Sequence, residues 1–304
     1  MRASDWAMSE QWRRLLPIAR RRGMLLDMDP MKPMAYALGT TASAIRRLEI
    51  QDCQFAAVSE RILEALNIQP SDHVVELGSG AGSFTRRILR RLGPNGAVVG
   101  VDYSQGLLDQ ASKNLAGVSP ARLEFVLSDI RDVGALAAGA DVLVGRTVLH
   151  HLAMPETLLG NLRRVLKAGA RLGFIEPEFR ALIARLAALE GQGRAQLAPL
   201  RRWAEGISRY YQACGLALSI GATLGRSLEV AGYRRVRSEW FECPMDATAI
   251  ENMLLYYDEV RGKYSERGIM TSDEIDHDQR LLASLPTDDL PAVWGTYCVT
   301  CEVG

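Results

Sequence analysis

The residues able to do chemistry fall in order along the first two thirds of the chain. Glycines at 78, 80 and 82 follow the carboxylate Glu76, which interrupts an apolar run of Val74, Val75 and Leu77. A glycine turn between a strand and a helix exposes backbone N–H groups that attract anionic and carboxylate groups. It also lets a ligand touch the main chain. Asp102 and Asp129 each end a later apolar run. An acidic residue at the tip of the next strand, roughly 20 to 25 positions past such a turn, accepts hydrogen bonds from ribose hydroxyls. His150 and His151 stand side by side after a fourth run. Imidazole, with its near-neutral pKa, can remove a proton from an acceptor oxygen or nitrogen. Adjacent residues do not readily face one site, and His151 is the preferred base. Glu176 and Glu178 end a fifth run, where either could hold a substrate group or neighbour Arg146, and Glu178 joins the histidines as a catalytic candidate.

These residues need elements to position them. Short apolar runs over 73–77, 96–102, 123–129, 141–146 and 170–178 read as buried parallel strands. Helical patterns lie between them: 83–92, stopped by Gly93-Pro94; 105–116, capped by Ser104; and 155–167, opened by Pro155 and stopped at Gly169. The expected fold is α/β: a Rossmann-like, doubly wound, mostly parallel seven-stranded sheet whose last strand is antiparallel, with a helical cap. Ligands of such sheets sit at the carboxyl ends of the strands.

The glycine spacing narrows the ligand. A dinucleotide fingerprint needs its third glycine five residues after the first, where Ser83 stands here. No Gly-Lys-Ser/Thr ends the turn, as a phosphate-binding loop would require. The segment Glu-Leu-Gly-Ser-Gly-Ala-Gly, together with Asp102 and Asp129 at successive strand ends, resembles the class I S-adenosylmethionine (SAM)-dependent methyltransferases. The resemblance covers residues 36 to 180. It implies that Gly78, Gly80 and Gly82 seat the methionyl part of SAM, that Asp102 holds the ribose, and that Asp129 with Ile130 places the adenine beside Tyr103. Glu76, Ser128 and Arg146 complete the candidate cofactor set. The earlier pattern Tyr36-x-Leu-Gly … Arg47-Leu-x-x-Gln51 is similar to bacterial small-molecule methyltransferases of the natural-product tailoring type. In that group the segment closes over the cofactor, making Tyr36 and Gln51 candidate contacts; plain helix packing is the alternative. The loop carrying His150 and His151 would face the methyl-bearing sulfur, with S-adenosylhomocysteine as the released product.

Composition sets the remaining bounds. The chain has 304 residues, with 36 basic against 36 acidic side chains, so no charge excess favours a nucleic-acid partner. No apolar run is long enough to span a membrane. Five scattered cysteines and no secretory signal read as a reducing cytoplasm. Cys298-x-x-Cys301 lies in a strand-like run without a second ligand pair, so no metal is expected. Residues 1–30 mix Trp6, Trp12, Leu15 and Leu16 with arginines and read as a surface arm. The alternative is a helix docked over the active site or on a neighbouring subunit, the latter making a homo-oligomer. The organisation expected is a helical arm and lid (1–58), a cofactor core (59–180), an inserted cap helix (181–216) and a C-terminal part of the core (217–304) with a helical excursion near 244–290. Leu200, Trp203, Ile207, Tyr210, Tyr211 and Cys214 share one helical face in the insertion.

The resulting expectation is a SAM-dependent methyltransferase acting on a small apolar or aromatic molecule. Two alternatives share the motifs: an enzyme of this fold that binds SAM but catalyses another reaction such as cyclisation, and a non-catalytic SAM-binding subunit. A nucleic-acid methyltransferase is disfavoured, because Gly145-Arg146-Thr147-Val148 stands where an Asn-Pro-Pro-Tyr type of motif would be.

Overall fold

The computed structural model describes residues 42–304; Tyr36 and the proposed arm at 1–30 lie outside the described residues. Two helices come first, α1 (Ala42–Gln54) and α2 (Ala56–Ala65). Buried Phe55 separates them, and the boundary drawn at residue 58 falls inside α2. There follow β1 (His73–Leu77), α3 (Ser83–Leu89), β2 (Ala97–Asp102), α4 (Gln105–Asn114), β3 (Arg122–Leu127), the single turn α5 (Gly134–Ala137) and β4 (Val142–Arg146). Next are α6 (Pro155–Val165), β5 (Arg171–Pro177), α7 (Phe179–Gly191), α8 (Ala198–Ala213), α9 (Gly221–Val230), β6 (Arg234–Glu242), α10 (Ala247–Glu266), α11 (Ser272–Ala283) and β7 (Gly295–Glu302).

The sheet order is β3-β2-β1-β4-β5-β7-β6. β1 to β5 pair in parallel, while β7 runs antiparallel to both β5 and β6. Strand order therefore reverses between β1 and β4, the place where open α/β sheets open a crevice for ligands.

Both sheet faces are covered, which explains the unbroken apolar runs. Val74, Val142 and Ile175 pack on one side with Ile62 and Ile88. Val75, Leu143 and Leu172 pack on the other with Leu159 and Leu224. Cys298 and Cys301 follow the same alternation, one on each face, and burial pushes both thiols up to about 12. Among the described residues no group of His, Cys, Asp or Glu is placed to hold a metal, and no helix is long and apolar enough to cross a membrane.

The insertion is two helices, α7 and α8, where the sequence suggests one. Gly191 and Gly193 break the helical run, and a short 3₁₀ turn at Ala195–Leu197 joins the halves. The expected apolar face on α8 is buried, and α10 and α11 pack with it to form a cap over the strand tips. Helix α1 is tied to this cap. Arg46 pairs with Glu251, Arg47 with Glu259, and Asn252 donates to Gln54.

Candidate active site

The turn after β1 divides its glycines between two tasks. All three have positive φ, a region that only glycine enters cheaply. A Cβ on Gly78 would lie 2.6 Å from the Val148 side chain, and one on Gly82 would lie 2.9 Å from Leu115. Gly82 thus lets the turn pack on α4 and stands off the cavity wall. Gly80 faces open space, with no atom within 4 Å of an added Cβ. Gly78, Ser79, Gly80 and Ala81 line a cavity of about 730 Å³ that runs from this turn up into the cap. That volume is in the range of sites for small molecules and cofactors.

Carboxylates border the turn. Asp102 ends β2 and accepts hydrogen bonds from the Gly80 N–H and the Ser104 N–H, both at 2.9 Å. It therefore ties two loops together as well as lining the cavity. Burial holds its pKa above the ordinary value, against the pull of the Ser104, Gly80 and Tyr103 amides. Glu76 is 1% exposed in the middle of the sheet, and its partner among the described residues is the Thr85 hydroxyl, which donates at 2.6 Å. Burial pushes this carboxyl up to about 8. A buried acid short of partners and open to a cavity fits a ligand that brings a cation, as the amino group of SAM would.

Farther along the wall stand Tyr103, Asp129, Ile130 and Arg131. Asp129 accepts from the Arg131 backbone N–H at 2.8 Å and from its guanidinium at 2.7–3.0 Å. Burial opposes its ionisation, but the Arg131 bonds outweigh this and hold its pKa below the usual value. An adenine amino group would have to share the carboxylate with Arg131. Ser128 points its hydroxyl at the Asp129 carbonyl and is not part of the wall.

Arg146, at the end of β4, is anchored rather than free. Its guanidinium donates to Asp52 at 2.7 Å, Ser59 at 3.1 Å and Ser83 at 2.9 Å, and lies over the Phe84 ring. Asp52 also receives Arg87, and these arginines hold its carboxylate below the usual pKa although burial opposes them. Gln51, the neighbour of Asp52 on α1, also lines the cavity.

The loop after β4 carries the histidines. Thr147 has φ of 51°, an unusual state for a residue with a Cβ, and such strain is tolerated where the surroundings enforce it. The enforcing group is Glu176, fully buried at the end of β5. Its Oε1 accepts from the Val148 and Leu149 amides at 3.0 and 2.8 Å. Its Oε2 accepts from the His150 amide at 3.3 Å and lies 2.7 Å from His150 Nδ1. His151 Nδ1 lies 3.1 Å from the Tyr211 hydroxyl, and the two imidazole centroids are 4.1 Å apart. Both rings line the cavity. Burial, then the charges of His150 and Arg47, depress the His151 pKa well below the ordinary histidine value.

Glu178 takes a structural place. It caps α7, accepting from the Arg180 N–H at 2.9 Å, because a new helix starts directly after Pro177. Above the histidines the wall is apolar and aromatic: Phe179, Trp203, Ile207, Tyr211, Tyr256 and Trp294. Sequence reasoning had no role for Arg47, Asp52 or Asn252. The one available signal is the helical spacing of Arg47, Gln51 and Phe55, which puts all three on one side of the α1–α2 segment.

Residues 75–172 match the family described as a methyltransferase domain. Aklanonic acid methyltransferase DauC of Streptomyces sp. (strain C5) is 23% identical over 71% of this chain and 99% of its own. An uncharacterised 37.1 kDa protein of transposon TN4556 in Streptomyces fradiae is 31% identical over 40% of this chain, and the match spans about a third of that relative's length. Among solved structures, the [4+2]-cyclase SpnF superposes with a TM-score of 0.50 at 15% identity, over 97% of this chain and 94% of that one. At that identity the likeness concerns the fold. The matched segment, about a third of the chain, contains the glycine turn, Asp102, Asp129 and both histidines, and it is this part of the chain that is similar to a methyltransferase domain.

Proposed function

We propose that the chain transfers the SAM methyl group to a small apolar or aromatic acceptor held in the cap. The observation carrying this reading is the continuity of one cavity, from Gly78, Gly80, Asp102 and Asp129 past the paired histidines to Trp203, Tyr256 and Trp294. The relative named for aklanonic acid methylation is in keeping with such an acceptor. Bound SAM supplies a methyl group already activated by its sulfonium. The residues that would hold it are Glu76 at the amine, Gly78 and Gly80 along the methionyl chain, Asp102 at the ribose, and Asp129 with Ile130 and Tyr103 at the adenine. Gln51 and Arg146 support the turn from α1 and β4.

The protein's tasks are then alignment, exclusion of water and proton removal. Aligning two reactants contributes on the order of 7–11 kcal/mol, whereas a general base adds roughly 10²–10⁴-fold. The aromatic chamber is therefore the larger contributor. For the base, the geometry favours His150 over the His151 preferred on sequence grounds. The Glu176 carboxylate fixes the His150 tautomer with Nδ1–H inward and so leaves Nε2 as the proton acceptor, the arrangement a base requires. His151 has a phenol as its neighbour and cationic groups nearby, which disfavour its protonation. It would pack against the acceptor as a neutral ring.

The test is incubation with SAM and a panel of aromatic metabolites, read by mass spectrometry. A mass gain of one methylene unit with matching S-adenosylhomocysteine supports the reading. A product isomeric with its substrate, with SAM intact, would make the chain a non-methylating enzyme of this fold.

A further inference from the structure

Helix α1 presents Arg47 to the cavity on the same side as Gln51. The residue is 3% exposed. Its Nε donates to Glu259 Oε1 at 2.9 Å across the seam with α10, and Glu259 is as deeply buried. That bond uses one of five guanidinium N–H donors. Among the described residues Glu259 Oε2 has no hydrogen-bond partner, so the pair meets at one point instead of by a two-pronged contact. Among the described residues nothing accepts from the two terminal nitrogens of Arg47. Its charge is nonetheless felt at His151, on the neighbouring wall. The same cavity is lined by the apolar and aromatic Phe55, Phe179, Trp203 and Trp294, with Asn252 and the Tyr256 phenol also on its wall.

A buried guanidinium with most donors unused is costly unless a ligand group completes it. The planar fork matches a carboxylate, which it can bind through two parallel hydrogen bonds. The cofactor also has a carboxylate, but its methionyl end belongs at the glycine turn, where Arg146 stands against Ser83. Arg47 lies one helical turn before Gln51 and is turned to the cap helix that holds Glu259.

We propose that Arg47 anchors a carboxylate on the acceptor, so that the substrate class is an aromatic or apolar carboxylic acid. This rests on the methyl-transfer reading and sharpens it. Arg47 is a specificity-determining residue: it seats the acid while the ring system fills the aromatic chamber.

The probes are 2-naphthoate and its uncharged counterpart 2-naphthamide, titrated into protein saturated with S-adenosylhomocysteine. The parent should bind the carboxylate at least about tenfold tighter than the amide, as expected for a charge-assisted two-pronged contact. Arg47→Met should remove the preference, and Arg47→Lys, with the charge but not the fork, should retain only part of it. The double variant Arg47→Met/Glu259→Gln leaves no unpaired buried charge and should behave like Arg47→Met, which guards against a folding defect. All variants should bind S-adenosylhomocysteine within about threefold of the parent. Equal binding of the two probes to the parent, binding of neither, or a preference that survives in Arg47→Met overturns the proposal. Loss of S-adenosylhomocysteine affinity in Arg47→Met also overturns it, and assigns the fork to the cofactor's carboxylate. A parent that binds no S-adenosylhomocysteine refutes the methyltransferase reading itself, a separate outcome.

Discussion

Replacing Glu176 by glutamine keeps the shape of the residue and removes its charge. The carboxylate, buried without exposure, accepts from three backbone amides and pairs with His150 Nδ1. Hydrogen bonds to a charged group are worth about 1.5–3 kcal/mol and neutral ones about 0.5–1.5. Each of the four contacts therefore loses about 1 kcal/mol, less for the long bond from the His150 amide at 3.3 Å. The sum is about 3 kcal/mol of folding stability, to be read from denaturant unfolding of parent and variant. An amide also offers N–H₂ at one end, and facing His150 it would favour the tautomer with Nδ1 unprotonated. Nitrogen NMR of the labelled imidazole reports that exchange directly. With an accepted substrate, turnover should fall about 100-fold, the lower end of what a general base contributes. Unfolding free energies within about 0.5 kcal/mol of each other, with the His150 tautomer unchanged, would refute the idea that Glu176 organises the loop and its base.

The elevated Glu76 has a consequence for pH. Its folded-state value of about 8 stands above the unfolded one of 4.5, so the cofactor-free protein binds the extra proton and should lose stability as pH rises from about 4.5 to 8. A cationic ligand amine should ionise the carboxyl, so binding of S-adenosylhomocysteine at pH 7 releases a proton; calorimetry in buffers of different ionisation enthalpy checks this, and Glu76→Gln should abolish the release. Gly80→Ala places a methyl in open space at φ of 53°. It should cost about 1 kcal/mol of stability but weaken S-adenosylhomocysteine binding tenfold or more, whereas equal small effects on both would remove the close cofactor approach assigned to this turn.

The core of this fold is written locally. Val74, Val75 and Leu77 need only their own window to read as a strand buried on both faces, and the three glycines announce a turn that other residues would strain. Asp102 and Asp129 are legible because a strand end is a local feature. The cap and the support of the site depend on pairs far apart in the chain. Arg47 and Glu259 are separated by 212 positions, and Arg146 and Asp52 by 94. In its own window each is an ordinary polar residue of a helix or a strand end. Glu178 misleads for a related reason: the helix it caps begins immediately after a strand, so a capping carboxylate and a catalytic one occupy the same kind of position. Glu176 against His150 is likewise a tertiary fact, and it is what turns attention from His151 to its neighbour.

The proposed reaction requires the cleft over β1 and β4 to grip the adenosyl cofactor along its length. Calorimetric titration of S-adenosylhomocysteine into purified parent protein and Asp102→Asn tests it most directly. The parent should bind one molecule per chain. The variant should bind about 10- to 100-fold more weakly, the loss of one charged hydrogen-bond acceptor at the ribose. A parent that gives no heat and shows no retention of the cofactor by any other measure, or a variant that binds as tightly as the parent, would contradict the account.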